Sequence, residues 1–182
     1  MEINLCAAGF GGQGIMTLGK FLADAACRST GKHVTFFPSY GAEQRGGTAN
    51  CFVVISDEEI GAPLGDTMDH LIVMNGPSLH KFLPTLRSGG TLFVNSSIVS
   101  RQTGRDDITV IEAPVTGLAL DMGSAKVLNV IMLGVYIGFT QVIEPAVVWQ
   151  TIEYKLGSKP KLLPLNRRAF EKGLEIGNSQ RK

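Results

Sequence analysis

Cysteine is scarce here and badly spaced for metal chemistry: Cys6, Cys27 and Cys51 stand far apart, with no C-x-x-C pair in 182 residues. Iron–sulfur and structural zinc sites draw on closely paired thiolates, so the chain is expected to hold no metal or cluster of its own. Cys6 and Cys51 each sit in an apolar run and read as reduced core residues. A surplus of charge of either sign is missing too. The 17 basic residues offset 16 acidic ones for a net charge of +1, which gives no electrostatic reason to expect nucleic acid or a membrane surface as partner. The uncharged stretch from Val127 to Ile143 has 17 residues, short of the roughly 20 apolar residues of a spanning helix. Asn129, Gly134, Gly138, Thr140 and Gln141 interrupt it. It is expected to be a helix buried on most sides, in a core or at an interface. No secretory leader precedes the first apolar run, so a cytoplasmic location is expected.

What is present points to a folded domain. Apolar residues make up 44% and charged residues 18% of the chain, a balance that disfavours disorder. The length fits one domain, residues 1–182. Glycine is abundant, 22 of 182 residues, about 12% against roughly 7% in average proteins. The glycines cluster at 9–14, 41–47 and 89–90 rather than repeat, which argues for tight turns and not for a fibrous chain.

Period and punctuation yield alternating strands and helices. Ile3 to Ala8 reads as a buried strand. A helix follows from Ile15, with Leu18, Leu22, Ala25 and Ala26 on one face and Gly31 as its cap. Val34 to Phe37 is a second strand ended by Pro38, and Thr48 to Ile55 a third. Further strands are expected at His70–Met74, Thr91–Val94 and Ile108–Glu112, with a helix over Pro77–Leu86. Helices then dominate: near Val115–Met122, after Ser124, over Pro145–Leu156, and after Asn166 as an N-cap. The fold class is α/β, a mainly parallel sheet with helices on both faces, with ligands expected at the carboxyl ends of the strands. Two strands between Phe36 and Ile55 have no helix between them, so the sheet is a variant of the Rossmann-like pattern.

Two constellations could carry chemistry. Gly9-Phe10-Gly11-Gly12-Gln13-Gly14 matches G-x-G-x-x-G between a strand and a helix. There the helix start offers unpaired N–H groups and partial positive charge to a phosphate or pyrophosphate. Alternatively, the glycines only let the helix pack closely on the strand. A nicotinamide cofactor would require an acidic residue ending the second strand, where this chain has Phe37-Pro38-Ser39. The second constellation is Tyr40-Gly41-Ala42-Glu43-Gln44-Arg45-Gly46-Gly47, polar and charged side chains in a glycine-rich loop. Arg45 either forks onto a ligand phosphate or carboxylate, or pairs with Glu43 to hold the loop or a subunit contact, the reading the short spacing favours. His33, His70 and His80 lack a paired nucleophile and read as structural. No catalytic residue is assigned.

In this order, the two motifs resemble the gamma subunit of 2-oxoacid:ferredoxin oxidoreductases. Further matches are Ser56-Asp57-Glu58-Glu59-Ile60 with Pro63, Asp69 before a buried strand, Gly89-Gly90 before a strand ending in Asn95-Ser96-Ser97, and Asn129 within Lys126-Val127-Leu128-Asn129. The resemblance covers nearly the whole chain. It implies oxidative decarboxylation of a 2-oxoacid with coenzyme A to acyl-CoA, carbon dioxide and two electrons for a ferredoxin-like carrier. It also implies alpha- and beta-type partner subunits, and in some complexes a delta-type one. Thiamine diphosphate with Mg²⁺ and the iron–sulfur clusters are then expected on those partners, not on this chain. Gly65-Asp66-Thr67 departs from the G-D-G pattern for thiamine diphosphate. The gamma subunit's share would be assembly and part of a coenzyme A site. The residues carried over to that site are Gly9, Gly11, Gly12, Gln13, Gly14, Tyr40, Glu43, Arg45, Gly46, Gly47 and Asn129. The short unfused chain leans this resemblance towards a 2-oxoglutarate enzyme. The other readings are a stand-alone nucleotide- or CoA-binding module and an NAD-dependent dehydrogenase.

Overall fold

Leu5 to Ala8 is an unbroken apolar run because it is the middle of a sheet covered on both sides. In the computed structural model, which describes residues 1–29, 31–40, 48–99 and 103–181, these residues belong to strand β1 (Glu2–Phe10). Leu5 and Ala7 face one apolar layer, Cys6 and Ala8 the other, the alternation that the period of a strand demands. The remaining strands are β2 (His33–Tyr40), β3 (Thr48–Ser56), β4 (Met68–Val73), β5 (Leu86–Asn95) and β6 (Thr109–Ala113). Their order across the sheet is β2-β3-β1-β4-β5-β6. β1, β4, β5 and β6 run parallel, whereas β3 lies antiparallel between β1 and β2.

The helices are α1 (Ile15–Arg28), α2 (Gly76–Phe82), α3 (Val115–Asp121), α4 (Leu128–Thr140), α5 (Pro145–Leu156) and α6 (Leu163–Gln180). α1 and α3–α6 share the larger apolar cluster on one face of the sheet. α2 covers the other face through Leu79 and Phe82. β1 thus sends its crossover helix to one face and β4 sends its own to the opposite one. The crevice between their carboxyl ends is the switch point where open α/β sheets bind ligands.

Two expectations need correction, and one open alternative is resolved. β2 does not stop before Pro38 but runs through it, with Pro38 opposite Cys51. β2 is an edge strand, the place in a sheet where a missing N–H can face away from the ladder. α6 begins at Leu163, not after Asn166, because Pro164 is tolerated in a first turn. Asn166 is buried inside that turn and donates Nδ2 to Leu162 O at 2.8 Å. α4, left between core and interface by its composition, is core. Every residue from Leu128 to Gly138 is buried within this chain, mostly under α6. Gly134 of α4 meets Gly173 of α6, so closely that a methyl on Gly173 would strike the Ile131 carbonyl; one on Gly177 would strike the Val135 carbonyl, and one on Gly138 the Leu174 carbonyl.

The outer edge at β6 is closed by a side chain. Gln180, the last residue of α6, accepts from Glu112 N–H at 3.1 Å and donates to Glu112 O at 2.9 Å, standing in for a further strand. Asp69 ties the opposite, amino-terminal end of the sheet, accepting from Asn4 N–H at 2.7 Å and Arg87 Nε at 2.6 Å. Nearby, His70 Nδ1 lies 3.0 Å from Tyr136 Oη, within an edge-to-face cluster with Phe93. Burial pushes the His70 ring down to about 4, so it is neutral near pH 7 and structural. His33 and His80 are exposed. Among the described residues, no helix is long and apolar enough to cross a membrane.

Candidate glycine-loop site

The carboxyl ends of β1 and β4 bring together residues that are far apart in sequence. β1 ends at Phe10, and the turn Gly11-Gly12 leads into α1, with Gly14 as its N-cap at φ 73° and ψ 24°. No side chain caps α1 and its first turn has no acidic residue, so its opening N–H groups present partial positive charge without a resident anion.

The glycines of this loop serve different ends. A Cβ on Gly9 would come within 2.6 Å of Gln13 Oε1 and 2.9 Å of Ile15 Cδ1. One on Gly14 would come within 2.6 Å of Asn129 Nδ2. The first and last glycines therefore make room for the protein's own amides. Gly11 and Gly12 are exposed and face open space, Gly12 at φ 93°. The positions divide: Gly9 and Gly14 are closely packed, whereas Gly11 and Gly12 present an accessible backbone.

Gln13 is turned inward. Its Oε1 accepts from Phe10 N–H at 2.7 Å and from Asn75 Nδ2 at 3.4 Å, and its Nε2 donates to Met74 O at 3.1 Å. Asn129, buried at the start of α4, donates Nδ2 to Gly14 O at 3.3 Å, so the two candidate regions 115 residues apart do meet. Tyr40 pairs with Ala49, and Phe10 with Thr48, so the described residues flanking 41–47 stand at the same end of the sheet as the glycine loop. Glu43, Arg45, Gly46 and Gly47 lie outside the described residues.

Residues absent from the candidate set complete the crevice. Asn75, two residues past β4, and Asn95, the last residue of β5, are both buried. Asn75 caps α2 by accepting from Ser78 N–H at 2.8 Å, a role signalled in sequence by Asn before Gly76-Pro77. Asn95 donates Nδ2 to Thr116 Oγ1 at 2.8 Å and to Met74 O at 3.5 Å. Ser97 Oγ accepts from Gly117 N–H at 3.1 Å. These side chains are amides and hydroxyls, which hold and orient a ligand and have no proton to transfer near neutral pH. Beneath them Cys51 donates Sγ–H to Ile15 O at 3.6 Å, its thiol pushed up to about 12 by burial. No group of three or more His, Cys, Asp or Glu able to hold a metal ion occurs among the described residues.

Among the described residues, a nicotinamide site lacks its ribose partner. In the dinucleotide-binding arrangement the carboxylate ends the strand beside β1. Here the neighbour is the antiparallel β3, which begins at that end with Thr48, and β2 carries no acidic residue.

Comparison with known proteins points one way. Residues 4–176 match the pyruvate ferredoxin/flavodoxin oxidoreductase family. The ketoisovalerate oxidoreductase subunit VorA of Methanothermobacter thermautotrophicus is 39% identical over 176 residues, 96% of this chain but 36% of that protein. The chain thus spans about a third of that relative's length. The 2-oxoglutarate synthase subunit KorC of Methanothermobacter marburgensis is 34% identical over 97% of both chains. Among solved structures, the gamma subunit of a keto/oxoacid ferredoxin oxidoreductase from Geobacter sulfurreducens superposes with a TM-score of 0.86 at 25% identity, covering 100% of this chain and 99% of that one. The 2-oxoglutarate:ferredoxin oxidoreductase of Magnetococcus marinus, solved with 2-oxoglutarate, coenzyme A and succinyl-CoA bound, gives 0.89 at 25% identity, over 98% of this chain and 31% of that one.

Proposed function

The chain belongs to the pyruvate ferredoxin/flavodoxin oxidoreductase family, and on that premise we propose that it is the gamma-type subunit of a cytoplasmic 2-oxoacid:ferredoxin oxidoreductase. The complex would convert a 2-oxoacid, coenzyme A and two oxidised one-electron carriers into acyl-CoA, carbon dioxide, a proton and two reduced carriers. The match to a 2-oxoglutarate synthase subunit over 97% of both lengths supports 2-oxoglutarate as the first acid to test. Alpha- and beta-type partners, with a delta-type one where present, would carry thiamine diphosphate, Mg²⁺ and the clusters.

Within that complex we assign this chain to coenzyme A. The observation that carries the reading is the open Gly11-Gly12 backbone at an uncapped helix start, bare of acidic residues. Phosphate oxygens of the nucleotide end are the groups such a cradle receives. Gly11, Gly12 and the first turn of α1 would hold them, with Gly9, Gly14 and Asn129 shaping the cradle from behind. Coenzyme A supplies the thiol that accepts the acyl group. Tyr40, Gly46 and Gly47 join this proposed site through the adjoining loop, in which we assign Glu43 and Arg45 to a subunit contact.

The test is purification of the chain from its native source. Partner subunits carrying thiamine diphosphate and iron are expected to accompany it, with 2-oxoacid oxidation dependent on coenzyme A. A chain that purifies alone and binds coenzyme A without partners would favour a stand-alone binding module instead.

A further inference from the structure

Resting on the coenzyme A reading above, we infer that Gln13 is a positioning residue that presets the Gly11-Gly12 backbone for the ligand's phosphates without touching them. Phe10 and Gln13 are tied twice: Gln13 N–H donates to Phe10 O at 3.1 Å, and Phe10 N–H donates to Gln13 Oε1 at 2.7 Å. The same amide donates to Met74 O at 3.1 Å, just past the end of β4, and accepts from Asn75 at 3.4 Å. Met74 N–H in turn donates to Ala8 O at 2.9 Å, so the latch is fastened to the two strands that flank the crevice.

Between the tied residues only Gly11 and Gly12 are free, and two adjacent glycines have more conformers to lose than any other pair. Without the latch, that freedom would have to be removed when the ligand binds, and the loss would appear as weaker binding. Gly9 belongs to the same device, since any side chain there would occupy the space of the Gln13 amide. Removing the amide should therefore affect one substrate alone. A residue that merely supported the fold would instead affect every kinetic constant and the yield of complex.

The experiment compares Gln13→Met and Gly11→Val in the assembled complex, assayed with 2-oxoglutarate and coenzyme A. Gln13→Met matches the parent side chain in length but has no amide. It is expected to raise KM for coenzyme A about tenfold, equivalent to about 1.4 kcal/mol, while kcat at saturating coenzyme A and KM for 2-oxoglutarate change far less. Hydrogen exchange of the peptide spanning Phe10–Gln13 should quicken in the variant before any ligand is added. Gly11→Val, which fills the open space directly, should raise KM for coenzyme A without quickening that exchange.

If Gly11→Val raises KM and Gln13→Met does not, the positioning role is overturned and the coenzyme A reading stands. If neither changes it, the coenzyme A reading has failed and this inference with it. A Gln13→Met complex with lower kcat, higher KM for both substrates and poor yield would mark Gln13 as a general structural residue, which also overturns the inference. Should that complex not assemble, Gln13→Glu is measured instead. It keeps an acceptor for Phe10 N–H but sets a carboxylate oxygen against Met74 O, and an unchanged KM for coenzyme A there would equally overturn the latch.

Discussion

Gly173→Ala is expected to destabilise this protein, although glycine in a helix is ordinarily a liability. At an open helical position, alanine in place of glycine gains about 1 kcal/mol. At Gly173 the added methyl would strike the Ile131 carbonyl and lie 2.8 Å from Gly134 Cα and 2.9 Å from Val135 N. All three obstacles are backbone of α4, so no rotamer change can relieve them. The helices must part, which loosens the buried row from Leu128 to Gly138. Overpacking typically costs about 1–3 kcal/mol, and a backbone clash belongs at or above the top of that range. Set against the gain of about 1 kcal/mol, the net loss is about 2 kcal/mol, which lowers Tm by about 4–8 °C for a chain of this size. Thermal and urea melts followed by circular dichroism measure it. Gly61→Ala is the control: its Cβ meets nothing within 4 Å, and it should stay within about 0.5 kcal/mol of the parent. A Gly173→Ala protein that melts at or above the parent temperature would show that the two helices have slack and that the contact argument is wrong.

Two further outcomes follow from buried side chains. His70 is held neutral, its folded value near 4 lying below the ordinary 6.5, so its contribution is complete above pH 6.5 and is lost as the pH falls towards 4. Urea melts should therefore show about 3 kcal/mol less stability at pH 4 than at pH 7 from this ring, and a His70→Phe protein with the same slope would assign the loss elsewhere. Of the three thiols, Cys6 and Cys51 are buried and Cys27 is exposed, and burial raises the first two far above the ordinary thiol range. One thiol should react rapidly with a disulfide reagent in the native protein and three after unfolding; three fast native thiols would contradict the packing of β1 and β3.

The elements were legible wherever a local rule governs them. Continuous apolar runs marked β1 and β4, and the spacing of Leu18, Leu22 and Ala25 marked α1. Pro38 misled, because its effect depends on tertiary position: it is harmless only because β2 is an edge. Asn166 misled as well, since its side chain turns back inside the helix rather than capping its start. The insertion of β3 between β1 and β2 was hinted at by two strands without a helix between them, but its partner in the sheet is a long-range fact. The candidate site shows the same division. Its glycines stand out in sequence, yet what each accommodates is decided by side chains arriving from elsewhere. Gln13 reaches a carbonyl 61 residues away, and Asn129 comes from the start of α4, 115 residues from Gly14. Asn95 and Thr116 join through a hydrogen bond that no local pattern announces.

The two ends of the sheet constrain how the molecule can be joined to others. At one edge Pro38 has no N–H to offer, and at the other the Gln180 amide already occupies both hydrogen-bonding groups that it meets on Glu112. At these two positions a strand laid alongside would find no donor or an occupied pair, which weakens the route by which exposed edges recruit unintended company. Contacts through side chains on faces, helices and loops, where shape and charge discriminate between partners, are favoured accordingly.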